Sequence, residues 1–452
     1  MGLSRQELTV RVLVRWERTR RSLRSCVKRV LLSEGVEDHK VWGTIHAYCM
    51  ELMKRLRTID AFLEAAVRNS SVRDLDPWVR NALRVATFEM KFNDVKPAIA
   101  TNEAVKIVLD ELGEGPARFV NAVLYDVEEL SMDDVLDRAR DEIERLAIEY
   151  SHPEWFVRHL LDTLGREELE RLMEANNREP ERYLRVHAHL IDPDKVVLEL
   201  EKEGVVVEED PDVPLILRVV EHDVPPVRTE PYRRGWVAYQ DKASAAAAYA
   251  LRPDPGDSVL DACAAPGNKS AYLYALAEGE IELTCVDVNP RRLREMRRNF
   301  RRWGVEARIR RADATELERE LDSERFDHVL VDPPCSSSGA YARSPETRWT
   351  VRWRHVNRYA RGQLAILRGV APLAEHSLVY STCSVTVVEN EEVVRRFLRE
   401  EDGFEPEEPF DLGSPGVERW RGQRYPWHDR VRRLWPHRHR TEGFFTARLV
   451  RS

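Results

Sequence analysis

Two cysteines in the second half of the chain have the surroundings of reactive thiols. Cys335 lies in the segment DPPCSSSG and Cys383 in STCS, and each closely follows a strand-like run of apolar residues. A cysteine thiolate attacks electron-poor carbon atoms well. An isolated buried cysteine is usually a small core residue, but the neighbours here include Ser and Thr rather than Leu and Val. The pair therefore predicts covalent chemistry on an electron-poor carbon.

Four successive strand-like runs each end in an aspartate, namely Asp261, Asp287, Asp313 and Asp332. A single Asp at such a place is an ordinary turn or helix-cap residue. Four at the same edge of a sheet indicate a polar ligand site, because ligands of open α/β sheets bind beyond the carboxyl ends of the strands. Asp287 comes 20 residues after Gly267, where a carboxylate can bind the two hydroxyls of a ribose.

The loop after the first of these strands is suited to a nucleoside ligand. It has the sequence CAAPGNKS over 263–270, and a helical segment follows. Small residues let a backbone approach a ligand closely, and a helix start offers free amide groups. A dinucleotide enzyme is the natural alternative, but the loop lacks its G-x-G-x-x-G spacing. The loop therefore favours a nucleoside without phosphates, and S-adenosylmethionine is such a ligand.

A thiol and a sulfonium donor together permit one particular methylation. Carbon 5 of cytosine is a poor nucleophile, but a thiolate that adds to carbon 6 converts the ring into an enamine. Carbon 5 of the enamine can take a methyl group from a sulfonium, so covalent addition replaces one difficult step by easier ones. Charge that builds up on the ring needs a proton or hydrogen bond at nitrogen 3, and Asp332 is expected to help there. For this it must be protonated or must hold a protonated base.

The elements that must position these residues form an α/β pattern. Over 236–452, short apolar or β-branched runs alternate with helical patterns, which predicts a Rossmann-like domain with a parallel sheet. The predicted strands are SVLDAC, IELTCVDV, EARIRRAD, FDHVLVDPP and SLVYSTCS. Residues 151–235 predict a small α/β subdomain, with a helical stretch, a strand-like YLRVHAHL and a proline-rich linker around 211–231.

The first part of the chain, 1–150, has apolar residues at three- and four-residue spacing and predicts an all-helical domain. Its clearest helices are 76–92, where Asp76 can act as the cap, and 101–113, which opens with a Thr and closes with a Gly. The predicted fold class is therefore α/β, with a Rossmann-like domain preceded by a small α/β subdomain and an all-helical domain.

Composition excludes several classes of protein. The longest nearly apolar run, 243–251, is far shorter than the roughly 20 residues of a membrane span, and the N-terminal segment has no apolar signal region. Six cysteines without a CxxC pair or a Cys/His cluster at zinc spacing argue against a disulfide framework and a structural metal. We therefore expect a soluble, cytoplasmic monomer without a bound metal.

The net charge of −8 does not by itself indicate a nucleic-acid partner. The basic residues are, however, concentrated in two runs: PRRLREMRRNFRRWG at 290–304 and RVRRLWPHRHR at 430–440. A solvated helix face and a charged surface loop explain such runs simply. Only a catalytic pocket nearby would favour a binding role.

Residues from about 236 to 450 resemble the Nop/Sun family of RNA 5-methylcytosine methyltransferases. The matching segments are YQDKAS, DACAAPGNKS, VDVNPRRL, RRADAT, DPPCSSSGA, QLAIL, STCSVTVVENEEVV and PHRHRTEGFFTARL. Residues 25–130 resemble the NusB family of small helical RNA-binding domains through ALRVATFEM, the turn at Pro97, ATNEAVKIV and RFVNAVLYDV. The Sun-type (RsmB) ribosomal-RNA enzymes carry such a NusB-like domain as well.

The resemblance implies roles for individual residues. In the family the cysteine of the TCS motif attacks carbon 6 and that of the PPC motif assists release of the methylated base, which implies these roles for Cys383 and Cys335. Lys269 is expected to bind the cytosine or a phosphate, although a lysine at a helix start also has an ordinary structural explanation. Many members have a second glycine in place of Asn268, so this residue is expected to mark a subgroup. The residues expected to hold S-adenosylmethionine are Cys263, Ala264, Ala265, Pro266, Gly267, Asn268, Lys269, Asp287, Arg292, Asp313 and Asp332.

The implied substrate is RNA, in the first place ribosomal RNA, with an unpaired or flipped-out cytosine because a paired base cannot be reached. The two arginine-rich runs and the helical domain would then bind phosphates. A transfer RNA is the alternative substrate. Two other functions remain open: a methyltransferase that acts on an exocyclic amine or a protein side chain without a thiol, and a non-catalytic ribosomal-RNA assembly factor.

Overall fold

The structure is a computed structural model that describes residues 3–68, 70–321 and 324–452. The chain divides into two compact units. The first unit comprises Met1–Arg178 and Tyr341–Val351, and the second comprises Glu179–Ala340 and Arg352–Ser452. The domain boundaries expected at residues 150 and 235 stay a prediction.

The first unit consists of helices and connecting turns throughout the part of it that the structure describes. The predicted helix at 76–92 is confirmed as Pro77–Phe92, and Asp76 caps it by accepting a hydrogen bond from a main-chain N–H of its first turn. The next helix begins at Pro97 rather than at the predicted Thr101, because proline is preorganised for the first position of a helix. The helices of this unit are Arg5–Thr19, Leu23–Ser33, His39–Lys54, Leu56–Ala66, Pro77–Phe92, Pro97–Leu112, Glu114–Glu129, Met132–Leu136, Glu142–Glu149, Glu154–Leu164, Arg166–Asn177 and Thr347–Thr350.

A stretch from the second half of the sequence, 341–351, packs within this first unit. The guanidinium of Arg348 is fully buried and donates hydrogen bonds to the main-chain carbonyls of Ser151 and Asn176, at 3.0 and 2.7 Å. Burial lowers the pKa of Arg348 to about 9. No pattern in the sequence predicted that this stretch leaves the α/β part of the chain.

The second unit begins with a four-stranded antiparallel sheet. Its strands lie in the order Val205–Glu209, Ile216–His222, Tyr183–Val186 and Val237–Tyr239. The helix Pro193–Lys202 packs its apolar face on this sheet through Val196 and Leu200. The prediction of a linker at 211–231 was wrong in part, because a strand occupies 216–222. Flanking prolines and the charged Arg218 obscured the alternation of apolar and polar residues in this strand.

The larger sheet of this unit has nine strands. All five strands predicted from sequence are present as its parallel part, in the order Ala374–Thr382, Phe326–Val331, Ser258–Asp261, Glu282–Val286 and Arg308–Arg310. Antiparallel strands that were not predicted extend this parallel sheet: Phe444–Arg451 pairs antiparallel with Ala374–Thr382 and covers its open edge. The other antiparallel strands are Phe404–Glu407, Arg432–Leu434 and Ser414–Pro415.

The direction in which strands are added reverses at Ser258–Asp261. The strand that follows it in sequence lies on one side of it and Phe326–Val331 on the other, which opens a crevice at the carboxyl ends of the strands. The helices of the second unit are Pro193–Lys202, Glu230–Arg233, Lys242–Tyr249, Asn268–Leu276, Pro290–Trp303, Leu317–Glu320, Trp353–Val370, Glu391–Glu400 and Pro436–His439. In the described part of the chain, no helix has the length and apolar character needed to cross a bilayer.

Candidate active site

A pocket of about 320 Å³ lies in this crevice, where the loops after all five parallel strands meet. It brings together both predicted cysteines and three of the four strand-end aspartates. The predicted site residues in its lining are Cys263, Asp287, Arg292, Asp313, Asp332, Cys335 and Cys383. The fourth aspartate, Asp261, is buried beneath the pocket loops and accepts a hydrogen bond from Ser270 Oγ at 2.6 Å. Burial raises the pKa of Asp261 to about 6.

The two predicted catalytic thiols are neighbours. Their sulfur atoms lie 3.1 Å apart, because the strands that precede them are adjacent in the sheet. Cys263, Cys335 and Cys383 are partly exposed, whereas Cys26, Cys49 and Cys285 are buried. The hydrogen bond with Cys383, together with burial, raises the pKa of Cys335 well above its ordinary value. Cys335 is therefore a neutral thiol near neutral pH.

Lys269 lies outside the pocket lining but reaches Asp332. Its ammonium group is 2.6 Å from the Asp332 carboxylate, which also accepts a hydrogen bond from Ser381 Oγ at 3.1 Å. Burial alone would lower the pKa of Lys269, but the charge and hydrogen bond of Asp332, helped by the charge of Cys383, raise it above its ordinary value. The side chain is therefore a cation that pairs with Asp332 and interacts with the charge of Cys383.

The predicted cofactor loop contributes to the pocket mainly through its position. Of its residues, Cys263 lines the pocket, while Ala264, Ala265, Pro266, Gly267 and Asn268 do not. Gly267 has a φ of +98°, and a Cβ atom there would lie 2.4 Å from the ring of Phe300. Arg292 holds the loop by donating a hydrogen bond to the carbonyl of Ala265, and its guanidinium lies 3.4 Å from Asp287.

A residue that sequence reasoning missed, Arg185, also holds this loop. Its guanidinium is fully buried, donates to the carbonyl of Asn268 at 2.5 Å and to the side-chain oxygen of Gln240, and lies 4.7 Å from the Trp303 ring. Burial lowers the pKa of Arg185 to about 9. An arginine within an alternating strand usually faces water, so only Gln240 in the YQDKAS motif could have indicated this contact.

The two arginine-rich runs have different surroundings. In the second run, Arg432 and Arg433 are buried, with Arg432 bonded to the Phe410 carbonyl and Arg433 paired with Glu391. The prediction that this run binds phosphates was therefore wrong for these two. The first run forms Pro290–Trp303, here called the arginine helix. It lines an open groove with exposed guanidinium groups that have no ion-pair partner in the described part of the chain, namely Arg291, Arg294, Arg297, Arg298 and Arg301.

The fold and the pocket together define a Rossmann-like methyltransferase class, and comparison with known proteins gives the family. The model of the 16S rRNA methyltransferase RsmB/F matches residues 248–450. The NusB family model matches 3–129, and the model of the RsmF/B-like ferredoxin-like domain matches 152–225. The chain belongs to the RsmB/F family of 16S rRNA methyltransferases. The resemblance predicted from the motifs is confirmed, and its NusB-like part begins nearer the N-terminus than predicted.

Individual relatives cover most of the chain. It is 29% identical to the probable ribosomal RNA small subunit methyltransferase B of Bacillus subtilis over 98% of both chains. It is 31% identical to the ribosomal RNA small subunit methyltransferase B of Salmonella paratyphi B over 67% of both chains. Among solved structures, that of PH0851 superimposes with a TM-score of 0.81 at 27% identity and covers 99% of both chains.

Proposed function

We propose that this protein methylates carbon 5 of a cytosine in ribosomal RNA, with S-adenosylmethionine as the methyl donor and Cys383 as the covalent nucleophile. The observation that carries the proposal is the pair of sulfur atoms, 3.1 Å apart, in a pocket lined by strand-end carboxylates. A methyltransferase that acts on an amine needs no thiol, whereas methylation of carbon 5 of a pyrimidine ring requires a nucleophile that first adds to carbon 6.

The pocket fits the proposed donor in size and in charge. A volume of about 320 Å³ is within the range of small-molecule sites. The nearly buried carboxylate of Asp287 can accept hydrogen bonds from ribose hydroxyls. Asp313 has no ion-pair partner in the described part of the chain, so it adds negative charge that suits a sulfonium cation. Asp332, which is paired with Lys269, and Cys263 complete this side of the proposed donor site. The bound donor would supply the methyl group.

The residues of the chain would carry the remaining steps. The Cys383 thiolate forms a bond to carbon 6 of the cytosine, and the electron pair released into the ring makes carbon 5 nucleophilic. After methylation, the proton on carbon 5 leaves to solvent through a base, the electrons re-form the ring double bond, and the bond between sulfur and carbon 6 breaks. The neutral thiol of Cys335 donates a hydrogen bond to the departing sulfur, which stabilises it as a thiolate.

Lys269 would stabilise negative charge on the nucleophile, and Asp332 would hold the base. The ammonium of Lys269 attracts both the carboxylate of Asp332 and the thiolate of Cys383. The carboxylate of Asp332 already accepts hydrogen bonds from the ammonium of Lys269 at 2.6 Å and from Ser381 Oγ at 3.1 Å, so it acts as an acceptor in this structure. Of the two roles predicted for Asp332, holding a cytosine protonated at nitrogen 3 therefore fits better than donating its own proton.

Release of tritium tests the position of methylation directly. We expect that ribosomal RNA labelled with tritium on carbon 5 of its cytosines loses one tritium to water for each methyl group transferred, because the carbon 5 proton must leave. The measurement compares tritium in water with methyl groups from labelled donor, and uridine-labelled RNA is the control. Methyl transfer without tritium release would contradict carbon 5 as the target. Absence of methyl transfer to any RNA would favour a non-catalytic role.

The arginine helix would bind the RNA backbone. The five guanidinium groups that line its groove have no ion-pair partner in the described part of the chain, whereas arginines elsewhere on the surface, such as Arg396 and Arg399, are paired with glutamates. Unpaired, exposed guanidinium groups along one helix are free to replace the counterions of phosphates. The helix also holds the cofactor loop through Arg292, so a phosphate contact here would lie on an element that forms part of the active site.

Replacing three of these arginines should weaken RNA binding and its salt dependence. We expect the triple variant Arg294→Gln, Arg297→Gln and Arg301→Gln to bind RNA about tenfold more weakly and to lower the slope of log affinity against log salt by about 2, since each single-strand phosphate contact contributes about 0.7. The double variant Arg396→Gln and Arg399→Gln is the control. An unchanged slope in the triple variant would contradict this role.

A further inference from the structure

One fully buried carboxylate, that of Glu389, connects the loops that carry the two thiols. It accepts hydrogen bonds from the main-chain N–H and the hydroxyl of Ser336, at 2.8 and 2.6 Å, and from the hydroxyl of Ser384 at 2.7 Å. Ser336 directly follows Cys335, and Ser384 directly follows Cys383. A single side chain therefore holds the residues adjacent to both sulfur atoms.

The surroundings of Glu389 are composed of hydrogen-bond donors. The hydroxyl of Thr386 donates to it at 2.9 Å and the side-chain amide of Gln363 at 3.2 Å. The same amide group donates to the carbonyl of Pro334, in the loop of the first thiol, at 3.0 Å. An ionised carboxylate has only acceptor sites, so it matches these donors, whereas a neutral amide in its place would bring donors of its own.

We propose that Glu389 is a positioning residue that holds the two loops together, so that the sulfur atoms face each other, and that its charge keeps Cys335 a neutral thiol while Cys383 acts as the nucleophile. The role of Cys383 as the nucleophile rests on the proposed function. The link between the two loops through Glu389 does not depend on it. Neither the composition nor the spacing of the segment VVENEE indicated such a role for its first glutamate.

The charges around the thiols support this division. The hydrogen bond with Cys383 and burial contribute most to the raised pKa of Cys335. The charges of the groups that face it, namely Cys383, Glu389 and Asp332, raise this pKa further. The cation in the group, Lys269, interacts instead with Asp332 and Cys383. Negative charge from Glu389 thus disfavours a thiolate at Cys335.

Alkylation of the thiols without RNA tests the proposal on the full-length protein. Iodoacetamide reacts with thiolates, and mass spectrometry of peptides gives the rate at each cysteine as a function of pH. We expect Cys335 of the unmodified protein to react only at a pH well above neutral, because the pKa of its thiol is raised. Glu389→Gln should shift the midpoint for Cys335 down by about one pH unit. Glu389→Asp keeps the charge, so it should retain the high midpoint for Cys335. It should still lower methyl transfer, because its shorter side chain cannot reach both loops.

A second buried glutamate provides the matched control. Glu391 is two residues further on and is paired with Arg433, so Glu391→Gln should lower the melting temperature without shifting the midpoint for Cys335. If Glu389→Gln behaved like this control, or if both Glu389 variants kept full methyl transfer, the positioning role would be wrong. If the midpoints shifted as expected but the unmodified protein released no tritium from RNA, the proposed function would fail and the role of Glu389 would stand.

Discussion

Replacing Cys383 with serine is expected to reduce methyl transfer by about 10³-fold or more. A serine hydroxyl is not ionised near neutral pH, and one nearby lysine does not lower the pKa of a hydroxyl to neutral pH. No nucleophile therefore remains for carbon 6. The pocket itself should be unaffected, because serine is close to cysteine in size and Cys383 is only one of fifteen residues that line it. The measurement is incorporation of labelled methyl groups into ribosomal RNA under single-turnover conditions.

Two controls separate chemistry from folding in this variant. Calorimetry should show that Cys383→Ser binds S-adenosylmethionine as tightly as the unmodified protein. Cys26→Ala, which changes a buried cysteine of the helical unit, should retain methyl transfer. Activity that survived Cys383→Ser would favour a methyltransferase that acts on an exocyclic amine or a protein side chain, since such enzymes need no thiol.

Replacing Cys335 with alanine is expected to trap the RNA on the protein. The neutral thiol of Cys335 lies 3.1 Å from the sulfur that must leave, and its loss removes the hydrogen bond that stabilises the departing thiolate. Removal of such a proton donor commonly slows a step by about 10²-fold or more. A complex of protein and RNA that resists denaturation should therefore accumulate during turnover, visible as a band of reduced mobility in a denaturing gel.

The double variant Cys335→Ala and Cys383→Ser identifies the atom that forms the bond. It should give no complex, because alanine at one position cannot create an adduct when the nucleophile at the other is missing. Peptide mapping of the trapped complex should place the nucleotide on Cys383. Absence of a complex from Cys335→Ala during turnover would contradict the release role of Cys335 but would leave the methylation proposal intact.

The elements that sequence reasoning predicted best are those with strong local signals. The five parallel strands are short apolar runs between helical patterns, and the helix Pro77–Phe92 has an Asp cap and a first-turn proline. The strand Ile216–His222 was missed, because its charged residues and flanking prolines resemble a linker. The antiparallel Phe444–Arg451 was also missed as a sheet strand, since its direction depends on pairing with a distant partner.

The residues of the candidate site likewise divide into those that the sequence predicted and those that it did not. Strand-end position predicted the pocket residues Asp287, Asp313 and Asp332 and both thiols. The buried polar residues that hold these groups, Glu389 and Arg185, were not predicted. A charged residue is ordinarily exposed, so its burial becomes evident only when its hydrogen-bond partners, contributed by distant parts of the chain, are known.

The sequence by itself determined the family, through motifs that resemble it. It also determined the alternation of strands and helices and which reactive groups stand at strand ends, because these two follow from residue type and local periodicity. Only the tertiary structure decided that the two sulfur atoms are neighbours, that Lys269 pairs with Asp332, and that the stretch 341–351 packs in the helical unit. Such distances depend on which strands pair and on how buried polar groups satisfy one another. These are properties of the whole fold, and no local pattern of residues encodes them.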